Sequence, residues 1–359
     1  MGVNRRIVQV KDQALLTGAG FSCNVGGLSG RQFLIRLSNH PKIQETGRVQ
    51  TLLSAENADY ESIYRTVVED SWLDEESRET VIAAYDDVYR ELDRAVCFEF
   101  RNPYTHPLQL NCLATFLDWF AGPSKERGHI FTLNQDLFIE RGYLGNSNIG
   151  VPGINYWRIR NWVPIMDWER LSHGELPIEV IPDKEGVQSF RERDDLGRHV
   201  PQALQYIKLH GSMNWRMREG SRVMVIAGRK LEQIRSVPLL NWYFEKFQQV
   251  LNTPEMHLCV VGYGFGDPHI NQELAKAVSN NTLKRISIIH PRWQRSDLER
   301  QIGEGHVGTG GDPDAAESIV EATRRGQLFD FDLREACSTN GPISSTDAGA
   351  RLLKTFGPR

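Results

Sequence analysis

The stretch Gln13-Ala-Leu-Leu-Thr17, running directly into Gly18-Ala-Gly-Phe-Ser22, decides the fold. A short apolar run closed by a glycine turn has the length and composition of a buried strand. Gly18 and Gly20 lack Cβ atoms, so the backbone can bend sharply and bring N–H groups close to a phosphate. A helix is expected soon after, within Arg31–Leu37. Strand, glycine turn and helix open a nucleotide-binding α/β unit, in which ligands lie at the carboxyl ends of parallel strands. Alone, such a turn is as often a tight bend as a phosphate site.

Four further apolar runs end in polar clusters. His129–Leu133 leads into Asn134-Gln-Asp136, and Tyr206–Leu209 into His210-Gly-Ser212. His257–Val261 leads into Gly262-Tyr-Gly-Phe-Gly-Asp267, and Arg285–Ile289 into His290-Pro291. The predicted class is therefore α/β, a Rossmann-like parallel sheet flanked by helices, with a mainly helical insertion. The expected division has a nucleotide-binding core at 1–36 and 108–295, elaborated at 145–205. A helical insertion would span 37–107 and a C-terminal extension 296–359.

The insertion rests on two patterns. Val81, Ile82, Tyr85, Val88, Tyr89, Leu92 and Val96 follow helical spacing. Between Glu56 and Asp93 stand 13 acidic residues and 3 arginines, read as a solvated outer face rather than a contact surface. Leu108 to Phe120 marks another helix, with Pro107 near its start and Gly122-Pro123 at its end. Trp157, Trp162 and Trp168 are expected in packing, a helix near Ala315–Arg325, a strand near Leu328–Leu333, and weak order in the last twenty residues.

Composition excludes several classes. The 359 residues carry 42 Lys+Arg against 46 Asp+Glu, a formal net charge of −4 that offers no general attraction to nucleic acid or an anionic membrane. No apolar run reaches the length of a membrane helix, and the start has no signal-peptide core, so the expected compartment is the cytoplasm. The five cysteines form no CxxC pair, which removes a zinc ribbon and a thioredoxin-type motif.

Each polar cluster has a plainer reading. Asn134 and Asp136 can cap a helix, and Asp267 with Pro268 can do the same. A lone His210 is more often a structural hydrogen-bonder, although an ordinary histidine suits a base at neutral pH. His40, His106 and His173 lack such a context.

In order, however, GAGFS, TLNQD, KLHGSMNW and VVGYGFGDPHIN resemble the sirtuin family, most closely its bacterial, defence-associated, NAD-consuming branch. The resemblance covers about Gln13 to Pro291 with two large gaps. It implies that Gly18, Ala19, Gly20 and Ser22 form the first NAD-binding turn. By the same match, Asn134 and Asp136 face the nicotinamide ribose and carboxamide, and His210 is the catalytic histidine. Gly262 and Gly264 hold the adenosine half, with His290 near the adenine. Phe21, Thr132 and Phe265, within the same turns, complete the expected binding set.

Departures from the deacylating sirtuins are informative. The four-cysteine zinc ribbon is missing, and Gly26-Gly-Leu-Ser-Gly-Arg31 stands where those enzymes carry Gly-Ile-Pro-Asp-Phe-Arg. The resemblance then implies an NAD glycohydrolase with no zinc, releasing nicotinamide and ADP-ribose or a cyclic product. It further implies an anti-phage, abortive-infection effector held in check until triggered, a homo-oligomer, and in some systems a HerA-type translocase as partner. A protein deacylase and a non-catalytic NAD or ADP-ribose sensor are the competing readings.

Overall fold

The computed structural model of the chain describes residues 9–45, 47–53, 59–69, 73–99, 108–122, 126–143, 149–154, 178–195, 204–291, 293–307, 313–338 and 341–358. Trp157, Trp162, Trp168, His106, His173, Pro107, Pro123 and most of 145–205 lie outside them.

The first strand, β1 (Gln9–Thr17), carries Ala14, Leu15 and Leu16 with no exposed surface. Buried on both faces, it reads as a continuous apolar run rather than an alternation. It enters α1 (Ala19–Cys23) and then α2 (Gly30–Ser38). Ser29 and Gln32 close a capping box at the start of α2, with Gln32 accepting from Ser29 N at 2.8 Å. Next come α3 (Pro41–Gln44), α4 (Gly47–Leu53), α5 (Tyr60–Glu69), α6 (Glu75–Glu99) and α7 (Leu110–Asp118). Only then does the chain return to the sheet as β2 (Glu126–Thr132).

The middle of the chain forms α8 (Phe138–Tyr143), β3 (Ile149–Gly150), β4 (Glu179–Val180), α9 (Lys184–Asp195) and β5 (Leu204–Lys208). A hairpin of β6 (Gly211–Arg216) and β7 (Arg222–Met224) precedes α10 (Lys230–Ser236) and α11 (Pro238–Leu251). Then follow β8 (Met256–Val261), α12 (Pro268–Ser279), β9 (Leu283–Ile289), α13 (Arg295–Val307) and α14 (Pro313–Arg325). The chain ends with β10 (Leu328–Phe329), α15 (Leu333–Ala336) and α16 (Asp347–Phe356).

The main sheet has seven strands in the order β10-β9-β8-β1-β2-β5-β3, all neighbours parallel. From β1 the chain builds β2 and β5 on one side, then returns to place β8 and β9 on the other. The reversal makes β1 the switch point, where α/β sheets open a crevice beyond their strand ends. Register levels those ends: Thr17 lies opposite both Thr132 and Val261, Thr132 opposite Lys208, and Val261 opposite Ile289. A three-stranded sheet, β4-β6-β7, stands beside it. No helix among the described residues is long and apolar enough to cross a membrane.

Three expectations need correction. The strand near Leu328–Leu333 is only two residues long, because Asp332 accepts from Glu335 N and starts α15 instead. The last twenty residues are not weakly ordered as a group: Phe356 on α16 is fully buried against Phe120, His257 and Phe329. The acidic stretch is not all outer face. Asp93 pairs with Arg141 at 2.7 Å, both buried, Asp86 with Arg222, and Glu61 with Lys230 at 2.6 Å.

Candidate functional site

The two glycine turns meet before any ligand is considered. Gly18 N donates to Val261 O at 3.0 Å, and Gly20 N to Gly262 O at 2.9 Å. A Cβ on Gly18 would fall 2.7 Å from Gly262 O, and one on Gly20 would fall 2.7 Å from Gly262 Cα. Gly262 itself has φ +65°, and a Cβ there would reach 2.2 Å from Phe21 N. These glycines allow backbone to pack on backbone. The N–H groups of Gly18 and Gly20 bond to the carbonyls of Val261 and Gly262.

The other turn residues divide. Ala19 is exposed, and Ser22 is buried with its hydroxyl in a polar network. Phe21 is buried beside Phe138, and Phe265 is completely buried beside Tyr263, so neither ring presents a surface to a ligand in this conformation. Phe265 has φ +55°, held there because Asn271 Nδ2 donates to its carbonyl at 2.7 Å. The carbonyl of Gly264 accepts from Gln301. His290 stands at the end of β9, stacked on Trp293 with ring centroids 3.9 Å apart.

Beyond β2, Thr132 Oγ1 accepts from Thr17 Oγ1 at 2.8 Å and from Asn134 N at 3.1 Å, which ties it to the Asn134 turn. Asn134 Nδ2 donates to Gly18 O and to Ser22 Oγ, each at 2.9 Å. Ser22 Oγ in turn donates to Asp136 Oδ2 at 2.6 Å. With both amide hydrogens engaged, the carboxamide oxygen of Asn134 is the atom left to accept from a hydroxyl. Asp136 also accepts from Phe138 N at 3.0 Å at the start of α8, in keeping with the plain capping reading. Beneath it a fully buried pair, Lys208 and Glu140 at 2.8 Å, anchors the loop, and Lys208 also donates to Asp136 O. Burial pushes the Glu140 carboxyl up, against the pull of Lys208.

His210 follows β5, one strand over. Asn134 and His210 each stand two residues beyond the paired Thr132 and Lys208, on adjacent strand ends. Met213 N donates to Gln135 O, and Gln135 Nε2 to Val225 O, tying the two loops together. The side chains nevertheless engage opposite partners. His210 Nε2 lies 2.9 Å from His269 Nε2, on the first turn of α12. Asp267 marks the start of α12 but makes no side-chain cap bond. Its carboxylate pairs instead with Lys230 at 2.7 Å, and Lys230 also holds Glu61 at 2.6 Å. Burial holds His210 well below the usual histidine range, partly offset by Asp267, and lowers His269 to about 4. Burial opposes the charge on Asp267, but Lys230, His210 and His269 together outweigh it and keep the group below the usual carboxylate range.

His210, Asp267 and His269 bring ligand atoms within 4.8 Å of one another, a donor set suited to a transition metal. Lys230 already neutralises Asp267, and an ammonium at that distance repels a second cation.

Two spaces flank these groups. Ala19, Ser22, Asn134 and Asp136 face a cavity of about 40 Å³, roofed by Phe33, Tyr60, Tyr89 and Leu92 from the helices between β1 and β2. That is room for only a few waters. Across Tyr60 and Glu61 lies a cleft of about 810 Å³, lined by Arg65, Lys230, Arg235, Asp267 and His269 among others.

With the geometry in view, the chain can be compared with known protein families. Residues 128–304 match the family model of the SIR2-like domain. The match supports a sirtuin-like family, whose domains use NAD. No curated protein matches the chain. The SIR2-like segment starts within β2 and carries Asn134, Asp136, His210, Gly262 and His290, while the first glycine turn and the roofing helices precede it. The sequence reading passed over His269, Lys230 and Glu61. His269 left a faint signal, a polar residue on the buried stripe of α12 with Ile270 and Leu274. Lys230 and Glu61 left none, because their partners are distant in sequence.

Proposed function

We propose that this chain hydrolyses NAD at the nicotinamide–ribose bond, releasing nicotinamide and ADP-ribose. The observation that carries the reading is the polar trio of Asn134, Ser22 and Asp136 at the switch point, one strand end from His210. The nicotinamide ring is cationic and leaves as a neutral molecule, taking the bond's electron pair onto its nitrogen. No general acid is required, unlike an ordinary glycoside. The ribose left behind is oxocarbenium-like, and water adds at its C1′.

In this reading Asn134 accepts from a ribose hydroxyl and orients it. His210 takes the proton, from water directly or through that hydroxyl. Asp136 holds the carboxamide or faces the developing positive charge. Positioning and electrostatics then supply most of the rate. The SIR2-like match supports NAD-related chemistry, and Asn134 with His210 favours turnover over sensing.

The 40 Å³ cavity supports a restrained resting state, since ligand-sized sites span roughly 300–1,000 Å³. NAD enters only when the roof of Phe33, Tyr60, Tyr89 and Leu92 parts. An effector of abortive infection needs such restraint, because unchecked loss of NAD kills the host. Assembly into a homo-oligomer, or contact with a HerA-type translocase, would supply the trigger through the roofing helices.

Incubating the purified protein with NAD, alone and with a co-purifying partner, and identifying products by mass spectrometry tests this. Nicotinamide with ADP-ribose is expected. A cyclic product would redirect the second step, and undiminished NAD in both incubations would overturn the reading.

A further inference from the structure

His210 is buried, and its Nε2 is taken up by His269 at 2.9 Å. An imidazole has two nitrogens, and a neutral one carries a proton on one and a lone pair on the other. If His269 donated in this contact, His210 would carry its proton on Nδ1 and have no lone pair for a substrate. If His210 donates, Nδ1 is the basic nitrogen. We propose that His269 is the positioning residue that accepts from His210 Nε2–H, fixing the tautomer whose Nδ1 serves as the base.

This rests on the hydrolase reading and adds the residue that readies its base. The logic is that of a base oriented by a third group, here a neutral imidazole with a carboxylate behind it. When Nδ1 takes its proton, the imidazolium of His210 stays bonded to the lone pair of His269. Asp267 lies in the same cluster, within 4.8 Å, and its charge favours the cation. Lys230 tempers that charge from α10, and Glu273 faces His269 from α12. The rigid second turn places His269: Tyr263 OH donates to Asn271 Oδ1 at 2.9 Å, and Asn271 holds Phe265 O.

Two variants separate positioning from packing. His269→Phe keeps an aromatic ring and removes the acceptor; His269→Gln keeps an acceptor in its side-chain carbonyl. With NAD as substrate, the Phe variant should lose about 100-fold in kcat with KM within about twofold, and the Gln variant should recover most of the loss. Equal losses in both variants, or a loss confined to KM, would overturn the assignment. Nitrogen NMR of histidine-labelled protein reads the tautomer without any turnover. Wild type should show His210 with a protonated Nε2 and an unprotonated Nδ1, changed in the Phe variant and kept in the Gln variant. The opposite tautomer in wild type would refute the proposal even if NAD is consumed; the expected tautomer in a protein that leaves NAD untouched would place the failure in the hydrolase reading instead.

Discussion

The Asn134 side and the His210 side of the strand-end row are built from different materials. Around Asn134, Ser22 and Asp136 the space is small and roofed largely by rings: Phe33 packs in tilted contact with Tyr60 and Tyr89 at centroid distances of 4.7 and 4.8 Å. On the other side His210 is buried against His269, which together with Asp267 and Lys230 lines a wide, charged cleft, and the tie is ionic, with Lys230 joining Glu61 to Asp267. Tyr60 and Glu61 are consecutive, so one helix start serves both sides. Ring burial is non-directional and strong, on the order of 1.5–3 kcal/mol per large side chain. The ammonium link is directional and weaker. The rings therefore supply most of the packing over Asn134, and the ion pair fixes the start of α5 against α10.

The largest effect expected is the loss of either polar side. Asn134→Ala and His210→Ala should each lower NAD turnover by ~10²–10⁴-fold, read as initial rates. A parent-like rate in either would break the assignment. Next, Gly262→Ala places a Cβ 2.2 Å from Phe21 N at a left-handed φ. It should lower unfolding free energy by more than about 2 kcal/mol in denaturant titration, while Gly264→Ala, with open space at its Cβ, should cost far less.

Glu61→Gln releases one arm of Lys230 and should raise turnover in the untriggered protein, by about tenfold at most because Glu61 is one-third exposed. An unchanged or lower rate would assign the closure to the rings alone. The smallest effect concerns pH. The neutral imidazole is the active form, and burial keeps His210 well below its ordinary 6.5, so the base stays neutral as pH falls through that value. Turnover at pH 6 should stay near its value at pH 7.5. A base at the ordinary value would lose about three-quarters of its active form there.

Much of this was legible in the linear chain. The five longer strands of the parallel sheet announced themselves as apolar runs, because both their faces are covered, whereas β3, two residues long, lay in a stretch read only as an elaboration. Helical spacing from Val81 to Leu92 foretold α6, and the polar residues after the strands marked the candidate site. Order along the chain made four weak motifs into one family resemblance.

What the sequence determined by itself was local: strand, turn, helix stripe, and which residues follow each strand. These depend on neighbours a few positions apart, whose periodicity survives in one dimension. Only the tertiary structure decided that Gly18 and Gly20 press on Gly262, that Glu61 reaches Lys230, and that His210 leans on His269. It also buried Phe356, whose partners Phe120, His257 and Phe329 come from three separate parts of the chain. Such contacts join residues dozens to hundreds of positions apart, and nothing in local spacing records which distant backbone or charge will arrive.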